Sequence, residues 1–573
     1  MKPRDAPQFC LNDDRRAPIC SKIPIERMRS YLWGFRGFRQ CTALELNEVM
    51  LSYYGPDRQH RSSMAANRLL FAGLERYKFL FGVQSLWRPI ASRASAFDVI
   101  VTPINSLKKQ ILGLKSSKLT PISVLQNWVD QGNNLSTSDL RRISKALFLS
   151  KRYHQALEIL TWMENQKRIR MSPADYAAKL ELIIQMHGLT EAEEYFMCLP
   201  DISSQKAAYL LLLRGYVRNR QTSKAEAFMR RLYDLGLVVS PHPYNEMMKL
   251  YLATYEYHKI PLVIQLMKRN KIPCNVLSYN LWMNACGERE GYGVAAAEMV
   301  FTEMRKDMNV EVGWSSLATL ANVYMKAEQC DKAILVLRNA EKKLSNCNRL
   351  GYFFLITLYA SLKEKEGVLR LWKASKAVGG RVTCANYMCV LSCLIKLGDI
   401  VEAEKIFVEW ESNCQKYDIR VSNVLLGAYM RNGMMEKAES LHIRTLERGG
   451  CPNYKTWEIL MEGYVKSQRM DKAIIAMKRA FAMLKDCDWR PPHELVLAIA
   501  EDFEKRGNFE YANEYITDIH NFGLANLSLY KILLRMHLSA NKPPIQILKM
   551  MDKDKIEVDN ETLAILRGFN FNG

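Results

Sequence analysis

The sequence predicts an all-α fold, a right-handed superhelical solenoid of about 11–12 helix–turn–helix repeats of about 35 residues each. An alanine recurs at one fixed point of a repeating text. The text around it reads as helix, short turn, helix. The composition, 48% hydrophobic and 25% charged, supplies apolar material for a large core.

The alanine falls at Ala156, Ala192, Ala225, Ala297, Ala333, Ala403, Ala438, Ala473 and Ala512, in steps of 36, 33, 72, 36, 70, 35, 35 and 39. The two doubled steps span units with Ile260 or Val368 at that point. A small side chain lets two helices approach closely where they cross. Placing it twentieth in the unit gives repeats starting near 137, 173, 206, 241, 276, 314, 349, 384, 419, 454 and 493. The windows SYNLWMNAC (278–286), LATLANVYMKAEQCDKAI (317–334), VSNVLLGAYMRNGMMEKAE (421–439) and TWEILMEGYVKSQRMDKAI (456–474) share the wording. The unit at 276 carries about three extra residues around GEREGYG (287–293), and that at 454 about four around KDCDWRPP (485–492). Both read as longer loops. A unit this short cannot close a core alone, so the units must stack.

The chain therefore divides as follows. Residues 1–63 mix Pro, Arg and Asp without a period and read as an irregular extension absent from the mature protein, with the natural start expected at Met64. Residues 64–97 hold five basic residues (Arg68, Arg76, Lys78, Arg88, Arg93) and one acid, Glu75, at roughly helical spacing among apolar residues. That is the pattern of an organellar transit peptide. Residues 98–136 form a linker and a lead-in helix that caps the first repeat. Residues 137–526 hold eleven repeats, and 527–573 a partial repeat and C-terminal cap.

The formal net charge is +21 with a pI of about 9.3, which favours a polyanionic partner. Residues 1–120 hold 20 Lys and Arg against 9 Asp and Glu, so much of the excess belongs to the leader. The 14 cysteines include no C-x-x-C pair and scatter through helical text, as buried small hydrophobes do in a reducing compartment. Cys389 and Cys393 share a helix face, but no histidine completes a metal site, so core packing is expected and no metal or cofactor. No run of 18 apolar residues occurs, so no membrane span is expected.

The boundary texts KIPCN-VLSYN (271–280) and GGCPN-YKTWE (449–458), with the 35-residue interval, resemble those of the pentatricopeptide repeat family over about residues 137–560. The Trp, Leu-Gly and Tyr landmarks of the tetratricopeptide repeat are missing. The uninterrupted run of ordinary units is similar to the P-type subclass, whose members are mostly from plants. The resemblance implies that one unit reads one base of single-stranded RNA through its fifth and last residues. An Asn amide both donates and accepts, which suits the O2/N3 edge of a pyrimidine.

In this frame Asn245 pairs with Asn275 and Asn423 with Asn453, each resembling a pair read as C or U. Asn280 stands fifth in the unit at 276, whose lengthened end leaves its pairing with Gly313 open. Ala318 pairs with Asn348, and Met388 with Asp418. Leu210 with Ser240, Phe353 with Thr383, Glu458 with Pro492 and Leu497 with Asn526 fall outside the usual code. The second residue of a unit, a small apolar wedge in the family, is here His242, Leu277, Ser315, Leu350, Ala385, Arg420 and Lys455, a departure from the pattern. Asparagine at a helix start is also a good N-cap, which is the alternative role for each. Pyrimidines are expected opposite the units at 241, 276 and 419, spaced Y-Y-x-x-x-Y along a strand running parallel to the chain.

No catalytic constellation is present. His493-Glu494 is followed by Leu495, which breaks the H-x-E of the zinc deaminases that end some family members, and P-C-x-x-C is missing. GEREGYG lacks both Gly-x-Gly-x-x-Gly and the P-loop lysine. The expected function is non-enzymatic: an organellar protein, mitochondrial or alternatively chloroplast, that occupies single-stranded RNA in processing, stability, splicing or translation, with RNA-processing or ribosomal proteins as further partners and no small-molecule substrate. A structural component of the mitochondrial ribosome is one alternative, and a protein-binding helical scaffold another.

Overall fold

The computed structural model describes residues 103–113, 120–166, 169–288, 293–346, 349–483 and 489–569. The extension, the transit peptide and Asn348 lie outside the described residues. The described residues form helices and no strands. They fall into two compact bodies, one up to Asn413 and one from Cys414.

First helices begin at Thr137, Pro173, Ile202, Pro241, Val276, Trp314, Leu350 and Cys384 in the N-terminal body. In the C-terminal body they begin at Ile419, Tyr454, His493 and Leu527. Each is followed by a second helix after a short turn. Within each body, first helices pack on the first helices of adjacent units, and each second helix packs on its own first helix. The core is thus a two-layer stack of helical hairpins. Ahead of Thr137 lie two helices, Pro103–Gly113 and Pro121–Asp130, where the sequence read one. Thr120 caps the second, and Pro121 at its first position is compatible with a helix start.

One start is displaced. The sequence frame places a unit at 206, but its first helix runs Ile202–Arg218. The preceding second helix, Leu189–Met197, is only 9 residues long, and the Asp201 carboxylate accepts from the Ser204 N–H, so the helix opens a turn early.

The alanine marker has its physical basis in burial. All nine alanines have no exposed surface, nor do Ile260 and Val368 at the same point. Start signals are equally local. Ser172 with Asp175, Asn275 with Ser278, Thr383 with Asn386 and Asn453 with Thr456 form reciprocal capping boxes.

In ten units the turn between paired helices passes through one residue with positive φ, the fifteenth of the unit. It is Gly398, Gly433 and Gly507 in three units but Lys151, Arg220, Tyr255, Glu328, Lys363, Gln468 and Asn541 in others. The left-handed region strains any residue with a Cβ. Lys363→Gly, at φ 60° on an exposed turn, is therefore expected to stabilise the protein by about 0.5–1 kcal/mol, read as a higher Tm with unchanged helicity. A lowered Tm would contradict this.

Burial also sets a pH response. His442 packs its ring against Trp457 at 5.4 Å, and its Nδ1 is buried without a partner. Burial lowers its pKa from the ordinary histidine value. The unfolded chain therefore takes the proton first. Stability is full above about pH 6.5 and falls as pH drops through the folded value, by up to about 1.4 kcal/mol per pH unit. Urea midpoints at pH 8 and pH 5.5 should differ more for the wild type than for His442→Phe. Equal differences would remove His442 as a cause.

Candidate nucleic-acid interface

The first-helix starts bring the predicted residues together at two junctions. Asn275 is the N-cap of Val276–Cys286, its Oδ1 accepting from the Ser278 N–H at 3.0 Å. Asn245, in the first helix before it, donates from Nδ2 to the same Oδ1 at 3.1 Å. The Ser278 hydroxyl donates back to Asn245 Oδ1 at 2.8 Å. The junction at 454 repeats this set. Asn453 caps Tyr454–Lys466 and accepts from the Thr456 N–H at 3.0 Å, Asn423 donates to Asn453 Oδ1 at 3.2 Å, and Thr456 donates to Asn423 Oδ1 at 3.0 Å. Each last-position asparagine caps the next first helix and accepts from the fifth-position amide of its own unit.

The fifth residues are buried. Asn245 is 1% exposed and Asn423 4%, whereas Asn275 and Asn453 are partly exposed. At the intervening junction the cap of Trp314–Lys326 is Gly313, which has no side chain to offer. Asn280 there keeps only a long contact from Nδ2 to Ser315 Oγ at 3.5 Å. Ala318 and Met388 are buried apolar residues in the first-helix layer. Asp418 caps Ile419–Arg431 and is engaged by the Arg420 guanidinium through Nε at 3.0 Å and Nη2 at 2.8 Å. Glu458 accepts from Trp489 Nε1 at 2.8 Å and from Lys455 at 2.8 Å. Of the second residues, His242 is exposed and Leu277, Ser315, Leu350, Ala385, Arg420 and Lys455 are half-buried.

Two further recurring sets were not read from the sequence. Six first helices end on a basic residue, the thirteenth by the sequence frame: Arg218, Lys326, Lys396, Arg431, Lys466 and Lys505. A cation at a helix C-terminus meets the negative end of its dipole. Lys396 and Arg431 are exposed to solvent yet hemmed in by protein, and burial lowers both pKa values. Lys396 meets Ser361 Oγ at 3.3 Å and is not committed to a carboxylate by that contact. The signal was available as a basic residue eight positions after the fifth.

The second set joins neighbouring units. Tyr251 and Lys259 both bond Glu226 at 2.9 Å, with the ammonium 5.1 Å above the tyrosine ring. Tyr324 and Lys332 meet Glu298 at 2.7 and 3.7 Å, and Lys472 meets Glu439 at 2.6 Å beside Tyr464. Each glutamate directly follows the crossing alanine of the preceding unit. Burial first, and the carboxylate second, push the Tyr324 and Tyr464 hydroxyls up to about 12, so each stays protonated as a donor.

Among the described residues no group of His, Cys, Asp and Glu could hold a metal ion, and no helix is long and apolar enough to cross a membrane. Cys393 is buried and Cys389 half-buried, with a thiol–thiol hydrogen bond and burial raising the Cys389 pKa.

The pentatricopeptide repeat domain model matches residues 228–289, and the PPR repeat model matches 207–237, 386–414 and 421–450. One pentatricopeptide repeat-containing protein of Arabidopsis thaliana is 55% identical over 473 residues, 82% of this chain and 96% of that protein. A second, named as mitochondrial, is 31% identical over 463 residues, 80% of this chain and 94% of its own length. The crystal structure of a pentatricopeptide repeat protein from maize is similar at a TM-score of 0.41 and 18% identity, covering 92% of this chain and 74% of that one.

Proposed function

The chain belongs to the pentatricopeptide repeat family, and on that premise we propose that it binds single-stranded organellar RNA and acts by occupying it. The observation that carries this is the duplicated asparagine set at the starts of the first helices, 178 residues apart and alike bond for bond. Capping alone does not call for a fifth-position amide, since Ser172 and Thr383 cap their helices without one. The amide pairs are therefore more than a capping requirement, and they carry the kinds of donor and acceptor group that a pyrimidine edge needs. The basic residues closing the first helices, the buried Lys326 apart, are the candidates for phosphate contacts, which make binding salt-sensitive.

Occupation serves RNA stability, splicing, processing or translation without a catalytic step. The mitochondrion is the proposed compartment, supported by the mitochondrial names of several relatives. Selection from a random RNA pool on the full chain is expected to enrich adjacent pyrimidines opposite the units at 241 and 276, and a pyrimidine opposite that at 419. Enrichment of no pyrimidine at these positions would overturn base reading.

One observation favours a second reading, a structural component of the mitochondrial ribosome. Ala318, Phe353 and Met388 are buried apolar residues at fifth positions and offer no base-reading group. Constant co-sedimentation with one ribosomal subunit supports that reading. Heterogeneous complexes that collapse on ribonuclease treatment support the first.

A further inference from the structure

We propose that the ends of five consecutive second helices form a phosphate-binding edge for an RNA hairpin that flanks the bound single strand. This rests on the RNA-binding function proposed above. The helices are Thr222–Asp234, Lys259–Arg269, Gly293–Lys306, Cys330–Glu341 and Lys365–Lys376, all in the N-terminal body. Their last turns carry Arg231, Arg269, Arg305 with Lys306, Arg338 and Lys373. All six are exposed, and none is held by a carboxylate among the described residues. Acids at the same ends are engaged by other groups: Glu303 by Lys268 at 2.7 Å, Asp307 by the Tyr279 hydroxyl at 3.0 Å and Glu341 by Arg370 at 2.8 Å. Asp234, exposed beside Arg231, is the exception.

The helix dipole favours a cation at any helix C-terminus. Yet Tyr153–Asn165 and Leu189–Met197 on one side of the run, and Ile400–Asn413 on the other, have no basic residue in the last turn. The row is bounded, and helix stability does not account for its bounds. Its place also separates it from the basic residues that close first helices. A second helix returns antiparallel to its first and ends beside the first-helix start. The Tyr279–Asp307 bond ties those ends together, as does Asn270 Nδ2 donating to the Tyr244 hydroxyl at 2.9 Å. The other basic row lies at the far end of first helices such as Trp314–Lys326, whose 13 residues span about 20 Å. An extended strand that follows one row leaves the other free.

The chemistry of the edge fits a stem. Single strands are held by aromatic platforms as well as charge. Tyr233, at the first of the five ends, is exposed, and the other four present cations and no exposed aromatic ring among the described residues. A hairpin stem has its bases already stacked and is recognised through shape and phosphates. A chain that holds a strand and the adjoining stem at once fixes the boundary between them.

The test uses the full chain and a strand selected for binding, alone or with a stable RNA hairpin joined to either end. One of the hairpin RNAs is expected to bind about tenfold more tightly than the bare strand at low salt. Its salt dependence should be steeper, by a slope of about 3–4 for about four phosphates. Arg269→Gln, Arg305→Gln, Lys306→Gln and Arg338→Gln combined should abolish both differences and leave bare-strand affinity unchanged, which also shows an intact array. Lysine at the three arginines keeps the charge and should keep both differences. A bare strand that binds but gains nothing from either hairpin, or a gain that survives the combined variant, would overturn the edge and leave the RNA-binding function standing. Equal losses for bare strand and hairpin RNA at unchanged circular dichroism would put the bound strand itself on the edge and end its separate role. Displacement of the hairpin RNA by polyglutamate as readily as by free stem RNA would assign the edge to an acidic protein, again against the proposal. Binding of no RNA at all would overturn both readings.

Discussion

Replacing Lys326 by methionine is expected to destabilise the N-terminal body by about 3–5 kcal/mol. The Lys326 and Glu288 side chains are 6% and 5% exposed and form an ion pair, with Asn284 Oδ1 3.4 Å from the ammonium. Methionine keeps the methylenes and removes the charge, leaving the Glu288 carboxylate buried opposite an apolar group. The loss comes from holding that carboxylate against methionine and not from the worth of the pair. Adding Glu288→Gln to Lys326→Met should therefore recover most of it. Urea unfolding of wild type, both single variants and the double variant measures this. A loss below about 1 kcal/mol in Lys326→Met would show that the pair behaves as a surface one. The pair also separates Lys326 from the other basic residues that close first helices. It is committed to a carboxylate inside the fold, whereas Lys396 and Arg431 reach solvent.

Arg349→Ala is expected to cost about 2–4 kcal/mol. The Arg349 guanidinium donates to the carbonyls of Ser375 and Arg381 at 3.0 Å each, and also to those of Val378 and Gly380. One planar fork thereby fastens the loop that ends the unit to the start of its own first helix. Lysine has the charge but not the fork, so Arg349→Lys should lose nearly as much. Amide hydrogen exchange across Val378–Arg381 should accelerate in both variants together with a lower Tm. An Arg349→Lys protein as stable as the wild type would show that charge alone holds the loop.

The scaffold was legible because its rules are local and repeat. A small residue at the crossing, a capping residue before most first helices and a helical period in between are all written in adjacent letters. Ala473 and Asn453 carry the same information in sequence as in space. The displaced start at Ile202 shows the limit. Asp201 and the short helix before it won over the 35-residue frame, and only the hydrogen bond to Ser204 makes that choice visible. The candidate site was half legible. Spacing placed Asn245 with Asn275 and Asn423 with Asn453, and they do bond. Spacing could not show that Ser278 and Thr456 close each set, because the third member lies in the next unit and looks like an ordinary capping-box partner. Nor could it show that the Asn280 Oδ1 is left without a donor. That depends on Gly313, which the lengthened loop moved out of register.

The tyrosine–glutamate–lysine clasp has a consequence for how such a chain changes length. The unit at 419 carries all three members: Tyr429 and Lys437, with the ammonium 5.8 Å from the ring centre, and Glu439 for the junction after it. A tandem duplication of that unit copies both halves, so the new seam sets a second tyrosine and lysine beside Glu439. The units at 241, 314 and 454 bring the tyrosine and lysine but have Pro261, Ile334 and Ile474 where the glutamate would stand, so a duplicate of any of them makes a seam without its acid. Growth of the array by one whole unit is therefore tolerated better at the unit at 419 than at any of these three.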